Sequence, residues 1–260
     1  MKYTLYLFLL LSYSICAQKA IETSFIKKTD FKTDRFITID NFGTAYFISN
    51  NVFNKKDLNQ TIITYNNLQL GDITTANVFN PLKINLFYKD FNSVIILDNR
   101  LAEIFRIDFN TLTEYKNVSH VSTGYDNTIW IFNQDNQKLE LFDYKTRTTR
   151  AQTIPIQSPI LDLKSNYNFC YLLTKDHLYV YNYFGSLVKK TKNNEYTELT
   201  ESNGDIILKI KKSLVYLKKN SKTPIPISIP NLLINDFFVT NETLYIYANE
   251  ALQKYKIKID

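Results

Sequence analysis

The sequence predicts an all-β fold, a six-bladed β-propeller, on three observations. The first is a repeat. A short aromatic and β-branched burst returns six times, as Thr44-Ala45-Tyr46-Phe47-Ile48, Ile84-Asn85-Leu86-Phe87-Tyr88, Thr128-Ile129-Trp130-Ile131-Phe132, Phe169-Cys170-Tyr171-Leu172-Leu173, Ile206-Ile207-Leu208-Lys209-Ile210 and Thr243-Leu244-Tyr245-Ile246-Tyr247. Their middle residues are 40, 44, 41, 37 and 37 residues apart, the spacing of propeller blades. The second is that the bursts are apolar at consecutive positions. A strand with one wet face alternates, whereas a blade packed between two neighbours buries both faces. The third is composition, 19 Tyr and 18 Phe against 5 Gly and 6 Pro. Aromatic residues suit a pleated, buried surface, and scarce glycine leaves Asn and Asp to make the turns.

The blades follow in order. The first spans residues 35–70, with a turn at Asp40-Asn41-Phe42-Gly43 and a third strand near Asn51-Val52-Phe53. The second carries strands at 83–88 and 93–98 and an outer strand near 103–108. In the third, an inner strand at 119–123 precedes the turn Asp126-Asn127, a second strand at 128–132, a turn at 134–137, a third strand at 138–143 and an outer strand at 148–154. Tight turns joining four antiparallel strands make one blade. The third strands, such as Lys138-Leu139-Glu140-Leu141-Phe142, read as more amphipathic and further out. The fourth blade pairs 169–174 with 177–182, the fifth 205–210 with 213–218, and the sixth 243–247 with 252–259.

The sixth repeat has no residues left for an outer strand. Residues 21–31, with Ser24-Phe25-Ile26, form an unassigned strand-like stretch. Pairing it with the C-terminal strand closes the ring and removes two exposed sheet edges. The competing all-β reading, an outer-membrane barrel, requires strands of about ten residues alternating apolar and polar, and these strands do not alternate.

Residues 1–17 read as a signal peptide: Lys2, an apolar run from Leu5 to Leu11, then small residues ending at Ala17. Cleavage after Ala17 leaves residues 18–260 as one propeller domain. Lipidation of Cys16 is the rival reading, disfavoured by the bulk of Ile15. No later segment has the apolar length of a membrane-spanning helix. The chain has 31 basic and 25 acidic residues; losing Lys2 with the leader leaves a net charge of +5, too mild to point to nucleic acid. The expected location is the periplasm, or the outer membrane or cell surface. Cys170 is then the sole cysteine, and its apolar neighbours mark it as a buried, inert thiol.

The search for chemistry predicts no catalytic residue, metal or cofactor. His120 and His177 stand in no metal-binding spacing, and no nucleophile elbow or phosphate loop occurs. His120 is placed where it can face the channel, and His177 in a turn. Asp-Asn pairs at 40–41, 98–99, 126–127 and 135–136 read as turn chemistry rather than calcium ligands. Lys209, Lys211, Lys212, Lys218, Lys219 and Lys222 form a basic cluster, either a solvated edge or a patch for an acidic partner.

The phrases at residues 40–48 and 95–101 resemble NHL-type and related six-bladed propeller repeats, and the Cys16-Ala17-Gln18 leader end with a Lys-, Asn- and Ile-rich body resembles exported proteins of Bacteroidota. The resemblance implies a propeller used as a binding platform, and the expected function is a non-enzymatic platform for protein partners, an accessory subunit of a cell-envelope (outer-membrane) complex. Propellers bind through loops at the channel mouth, so Phe42, Tyr125, Arg147 and Arg150 are the expected anchors. The alternative is a sugar or lactone hydrolase or lyase working in the channel, for which Asp72, Asp162 and Asp236 are the carboxylates to examine.

Overall fold

Each of the six repeats folds into a four-stranded antiparallel sheet, and the sheets stand around a central channel as a six-bladed β-propeller. The computed structural model describes residues 20–240 and 242–258; the expected leader, including Cys16, lies outside them. Blade 1 contains strands Arg35–Ile39, Ala45–Ser49, Val52–Lys56 and Ile62–Tyr65, from the channel outward. The inner strands of blades 2 to 6 are Thr75–Asn77, Val118–Thr123, Ile160–Ser165, Glu198–Ser202 and Asp236–Thr240.

The core lies in the seams between blades. Six buried apolar clusters fill the six seams. The second strand of blade 3, Thr128–Asn133, shows why its sequence is apolar throughout: Ile129 and Ile131 enter the seam with blade 2, and Trp130 and Phe132 the seam with blade 4. Burial of both faces follows from the pleat, which turns successive side chains to opposite sides.

The ring closes as expected. Thr23–Asp30 pairs antiparallel with Ala251–Ile257 and becomes the outer strand of blade 6. The closing seam is rich in rings: Phe36 stacks on Phe238 at 5.7 Å, and Phe31 meets Phe36 and Phe47 edge-on at 4.9 Å each. Such pairs add about 0.5–1.5 kcal/mol each beyond their burial. Thr33 ties the seam down, its N–H donating to the Tyr247 hydroxyl, which donates in turn to the Thr33 carbonyl.

Asparagine and aspartate make many of the turns. Asp98 Oδ1 accepts from the N–H groups of Arg100 and Ala102 at 2.8 and 2.9 Å, and Asn50, Asn51, Asn92, Asn203 and Asn249 adopt left-handed backbone. Cys170 is fully buried, and burial pushes its thiol well up, away from the reactive thiolate.

Two local expectations need correction. The third strand of blade 3, Lys138–Asp143, is buried from Leu139 onward, so Glu140 and Asp143 lie inside instead of on a polar outer face. His177 begins the strand His177–Asn182, as the expected pairing of 169–174 with 177–182 has it, and does not sit in the turn. The outer strand of blade 5 is short, Ile225–Pro226, and the Ile227 N–H adds one more bond to the Leu214 carbonyl at 2.9 Å.

Candidate functional site

Antiparallel strands divide the connections between two ends of the ring. Turns from inner to second strand, and from third to outer strand, open on one end, called here the mouth face. Turns from second to third strand and the blade-to-blade links open on the opposite face. The channel between the inner strands has a volume of about 1010 Å³.

Charged residues recur at one level of this channel. The inner-strand residue paired with the penultimate residue of each second strand is Arg35, Thr75, His120, Asp162, Glu198 or Asp236. Hydrogen bonds of Arg35, Asp162 and Asp236 join neighbouring blades. Asp236 Oδ2 accepts from Phe36 N at 3.0 Å, across the closing seam. Asp162 Oδ2 accepts from Leu199 N at 2.9 Å, and its Oδ1 from Leu163 N at 2.8 Å. Arg35 donates to the Thr74 carbonyl at 2.6 Å, and Glu198 receives Lys209 at 2.7 Å. Burial raises the Asp236 carboxyl above the usual carboxylate range, opposed by the Phe36 N–H and by Arg35. Burial lowers the His120 imidazole to about 4, with Asp162 opposing and Lys89 and Lys164 adding to the shift. Asp162 and Asp236 thus line the channel, whereas Asp72 is exposed in the link ahead of blade 2 and lines none of it.

A second polar belt runs nearer the mouth. Asn77 donates to Ser122 Oγ at 3.1 Å and accepts from Thr123 Oγ1 at 2.8 Å; Ser165 donates to Ser122 Oγ at 2.7 Å. Asn166 Nδ2 donates to Glu201 Oε1 at 2.8 Å, and Gly204 N donates to the same oxygen at 2.7 Å. Burial raises the Glu201 carboxyl against these two donors. Among the described residues, no group of three or more His, Cys, Asp or Glu side chains is arranged to hold a metal ion.

Aromatic residues rim the mouth. The inner-to-second turns of blades 1 to 4 each carry one aromatic residue, Phe42, Phe79, Tyr125 and Tyr167. Asp40 shapes the first turn by accepting from Phe42 N and Thr44 N at 2.9 Å each, which leaves the Phe42 ring 80% exposed. Asn77 and Asn166 shape the turns of Phe79 and Tyr167 by accepting from Phe79 N at 3.0 Å and Asn168 N at 2.9 Å. Phe79 and Tyr167 then meet edge-on at 4.9 Å, from blade 2 to blade 4. Phe42, Phe79 and Tyr167 all line the channel, with Lys219 on the blade 5 side.

The expected anchors fall into two groups. Phe42 stands on the rim. Tyr125 lies in the seam of blades 3 and 4, against Tyr183 at 5.5 Å, with the Arg150 guanidinium 5.8 Å from its ring. Arg150 also pairs with Asp143. Arg147 is exposed in the neighbouring turn with left-handed backbone. Phe79 and Tyr167 were missing from the expected set, although both carry the signal that marks Phe42, an aromatic residue in an Asn-containing turn after an inner strand.

The lysine cluster is not one patch. Lys209 is withdrawn, its side chain 14% exposed and paired with Glu198. Lys211 and Lys212 lie in a second-to-third turn on the face opposite the mouth, and Lys218, Lys219 and Lys222 lie in a third-to-outer connection on the mouth face.

Fold and site together define a β-propeller with an aromatic-rimmed central channel. No protein-family profile matches the sequence, and no curated protein matches it. Solved structures do. A virginiamycin B lyase from Staphylococcus aureus aligns at a TM-score of 0.61 and 10% identity, covering 91% of this chain and 100% of that one. BamB from Moraxella catarrhalis aligns at 0.56 and 9%, covering 92% and 98%. PorZ, a surface component of the type-IX secretion system of Porphyromonas gingivalis, aligns at 0.53 and 13%, covering 87% of this chain and 32% of that one. At these identities the likeness is one of fold.

Proposed function

We propose that this protein is an exported, non-enzymatic β-propeller that binds protein partners through its mouth face, as an accessory subunit of a cell-envelope complex at the outer membrane. The observation that carries the reading is the gathering of Phe42, Phe79 and Tyr167 around one opening. Exposed aromatic residues grouped at a rim are costly to leave in water and are typical anchors of interfaces. On the opposite face, Leu68, Phe91, Tyr115, Ile154 and Leu233 are also exposed, but none lines the channel. The leader-like residues 1–17 support export, and the fold shared with PorZ, a bacterial surface component, supports the envelope setting. No helix among the described residues is long and apolar enough to cross a membrane.

Channel catalysis is the weaker reading. The carboxylates of Asp162, Glu201 and Asp236 line the channel, but each accepts backbone N–H groups that hold blades or turns together. A group so engaged is a joint of the ring before it is a reagent.

The test is capture from envelope membranes of the source cells with the tagged, full chain, compared with a Phe42→Ala/Tyr167→Ala variant. The expected result is one or more envelope proteins retained by the parent and lost from the variant. Recovery of the monomer alone, or of the same proteins by both, overturns the reading.

A further inference from the structure

We propose that the channel mouth takes an extended acidic polypeptide segment, one apolar side chain of which seats among Phe42, Phe79 and Tyr167. The proposal rests on the platform reading and names the chemistry of the partner.

The seat comes first. The Phe79–Tyr167 contact spans from blade 2 to blade 4, over the short turn of blade 3. Phe42 faces the same opening and has no ring partner among the described residues. The three rings line one opening, above the polar belt of Asn77, Ser165 and Asn166.

The surface around the seat is long rather than round. Leu58 lies against Gly43, where an added Cβ would come within 2.9 Å of it, so its exposed side chain extends the apolar surface outward from Phe42. Leu82, three residues after Phe79 in the same turn, is also exposed. A stripe running off the rim onto blades 1 and 2 suits an extended chain better than a compact small molecule.

Charge then sets the sign of the partner. On the mouth face of blades 3 and 5, Lys145, Arg147, Lys218, Lys219 and Lys222 are exposed, against Asp126 alone of the acidic residues in the corresponding turns. The acidic residues of blades 1 and 2 on this face, Asp40, Asp57 and Asp98, direct their carboxylates to their own turn amides. Lys219 places its ammonium 5.3 Å from the Phe169 ring at the channel wall, which joins the basic sector to the aromatic seat. Complementarity of this kind favours an acidic chain.

The polar belt argues against a glycan. Of this belt Asn77, Ser165 and Asn166 line the channel, and they bond to the buried Ser122 and Thr123 or to Glu201. Sugar hydroxyls would find these donors and acceptors already engaged, whereas an apolar side chain asks nothing of them.

The probe is a fluorescein-labelled peptide of alternating Glu and Ser with one central Phe, titrated with the full mature chain and read by anisotropy. Saturable binding is expected, weakening as salt rises. Replacing the peptide's Phe by Ala, or Phe42→Ala or Tyr167→Ala in the protein, is expected to raise Kd about tenfold or more. Lys219→Glu/Lys222→Glu is expected to weaken binding and flatten its salt dependence. These exposed positions leave the melting temperature nearly unchanged, which separates lost binding from lost folding. Absence of saturable binding, equal binding of a Lys-for-Glu peptide, or displacement by oligogalacturonate that ignores Phe42→Ala would each overturn the proposal. If the envelope capture succeeds while this peptide fails, the platform reading stands and only the acidic segment is lost.

Discussion

Lys116 donates to Glu140 at 2.8 Å inside the protein, with the two side chains only 3% and 2% exposed. The lysine comes from the link between blades 2 and 3, and the glutamate from the third strand of blade 3. Asn133, Asn136 and Thr149 supply the remaining donors to the carboxylate, at 3.1, 2.9 and 2.7 Å. A buried pair is stable only when its other lone pairs are filled, and here they are.

Breaking this pair on one side leaves a charge without its partner. Lys116→Met is therefore expected to cost about 3–5 kcal/mol, read from urea melts. Lys116→Met combined with Glu140→Gln is expected to recover part of the loss. Burial pushes the Glu140 carboxyl up, but hydrogen bonds from Lys116, Asn136 and Thr149 outweigh it and hold it below its ordinary range. The contribution is thus present above the unfolded carboxylate pKa and fades as pH falls through the folded one. The acid limb of the parent's stability curve is expected to flatten in the double variant.

His120 is expected to stay neutral through the physiological range and to titrate near 4 by NMR. Its folded pKa lies below the unfolded value of about 6.5, so the unfolded chain takes up the proton first. Stability present at neutral pH is lost as pH falls from about 6.5 toward 4, with a slope of at most about 1.4 kcal/mol per pH unit from this group. Melts of His120→Gln between pH 7 and pH 4.5 are expected to lack that component of the slope.

Asp236 serves as an acceptor across the closing seam, so shape should matter more than charge. Asp236→Asn keeps an oxygen for the Phe36 N–H and is expected to stay within about 1 kcal/mol of the parent. Because burial raises the Asp236 carboxyl, its charged form weakens the fold as pH rises past the unfolded pKa, and the amide removes that loss. Asp236→Ala strands a buried N–H and is expected to cost about 1–3 kcal/mol. Chemical denaturation at pH 7 separates the two.

Removing residues 18–31 is expected to lower the melting temperature sharply and to promote aggregation, seen by light scattering. The deletion bares the edge of Ala251–Ile257 and removes Phe25 and Phe31 from Tyr255, Phe36 and Phe47. An open edge is a template for pairing with another chain.

The fold is legible wherever a strand is apolar on both sides, as with Ile129-Trp130-Ile131-Phe132, because the seams demand it. It is silent where strands are short or polar. Thr75–Asn77 lines the channel with three residues, and Ile225–Pro226 ends in proline. Glu140 reads as an outer-face residue because alternation cannot reveal Lys116, which arrives from 24 positions away. The lysine cluster looks continuous in sequence, yet Ser213–Leu217 runs between its halves, and five strand residues carry the chain roughly 17 Å, from one face to the other. Phe42 announces itself in its turn. Phe79 and Tyr167 become its companions only when the ring brings blades 1, 2 and 4 to one opening.

The clasp between Thr23–Asp30 and Ala251–Ile257 also dictates an order of events. Thr23–Asp30 waits for a partner more than 200 residues further along the chain, so the circle stays incomplete until synthesis has delivered that partner. Blades 1 to 5 can assemble from neighbouring hairpins meanwhile, each step local in sequence. A chain stalled before residue 251 would carry nearly the whole structure and still lack its final join, giving quality-control proteases a clear mark of unfinished molecules.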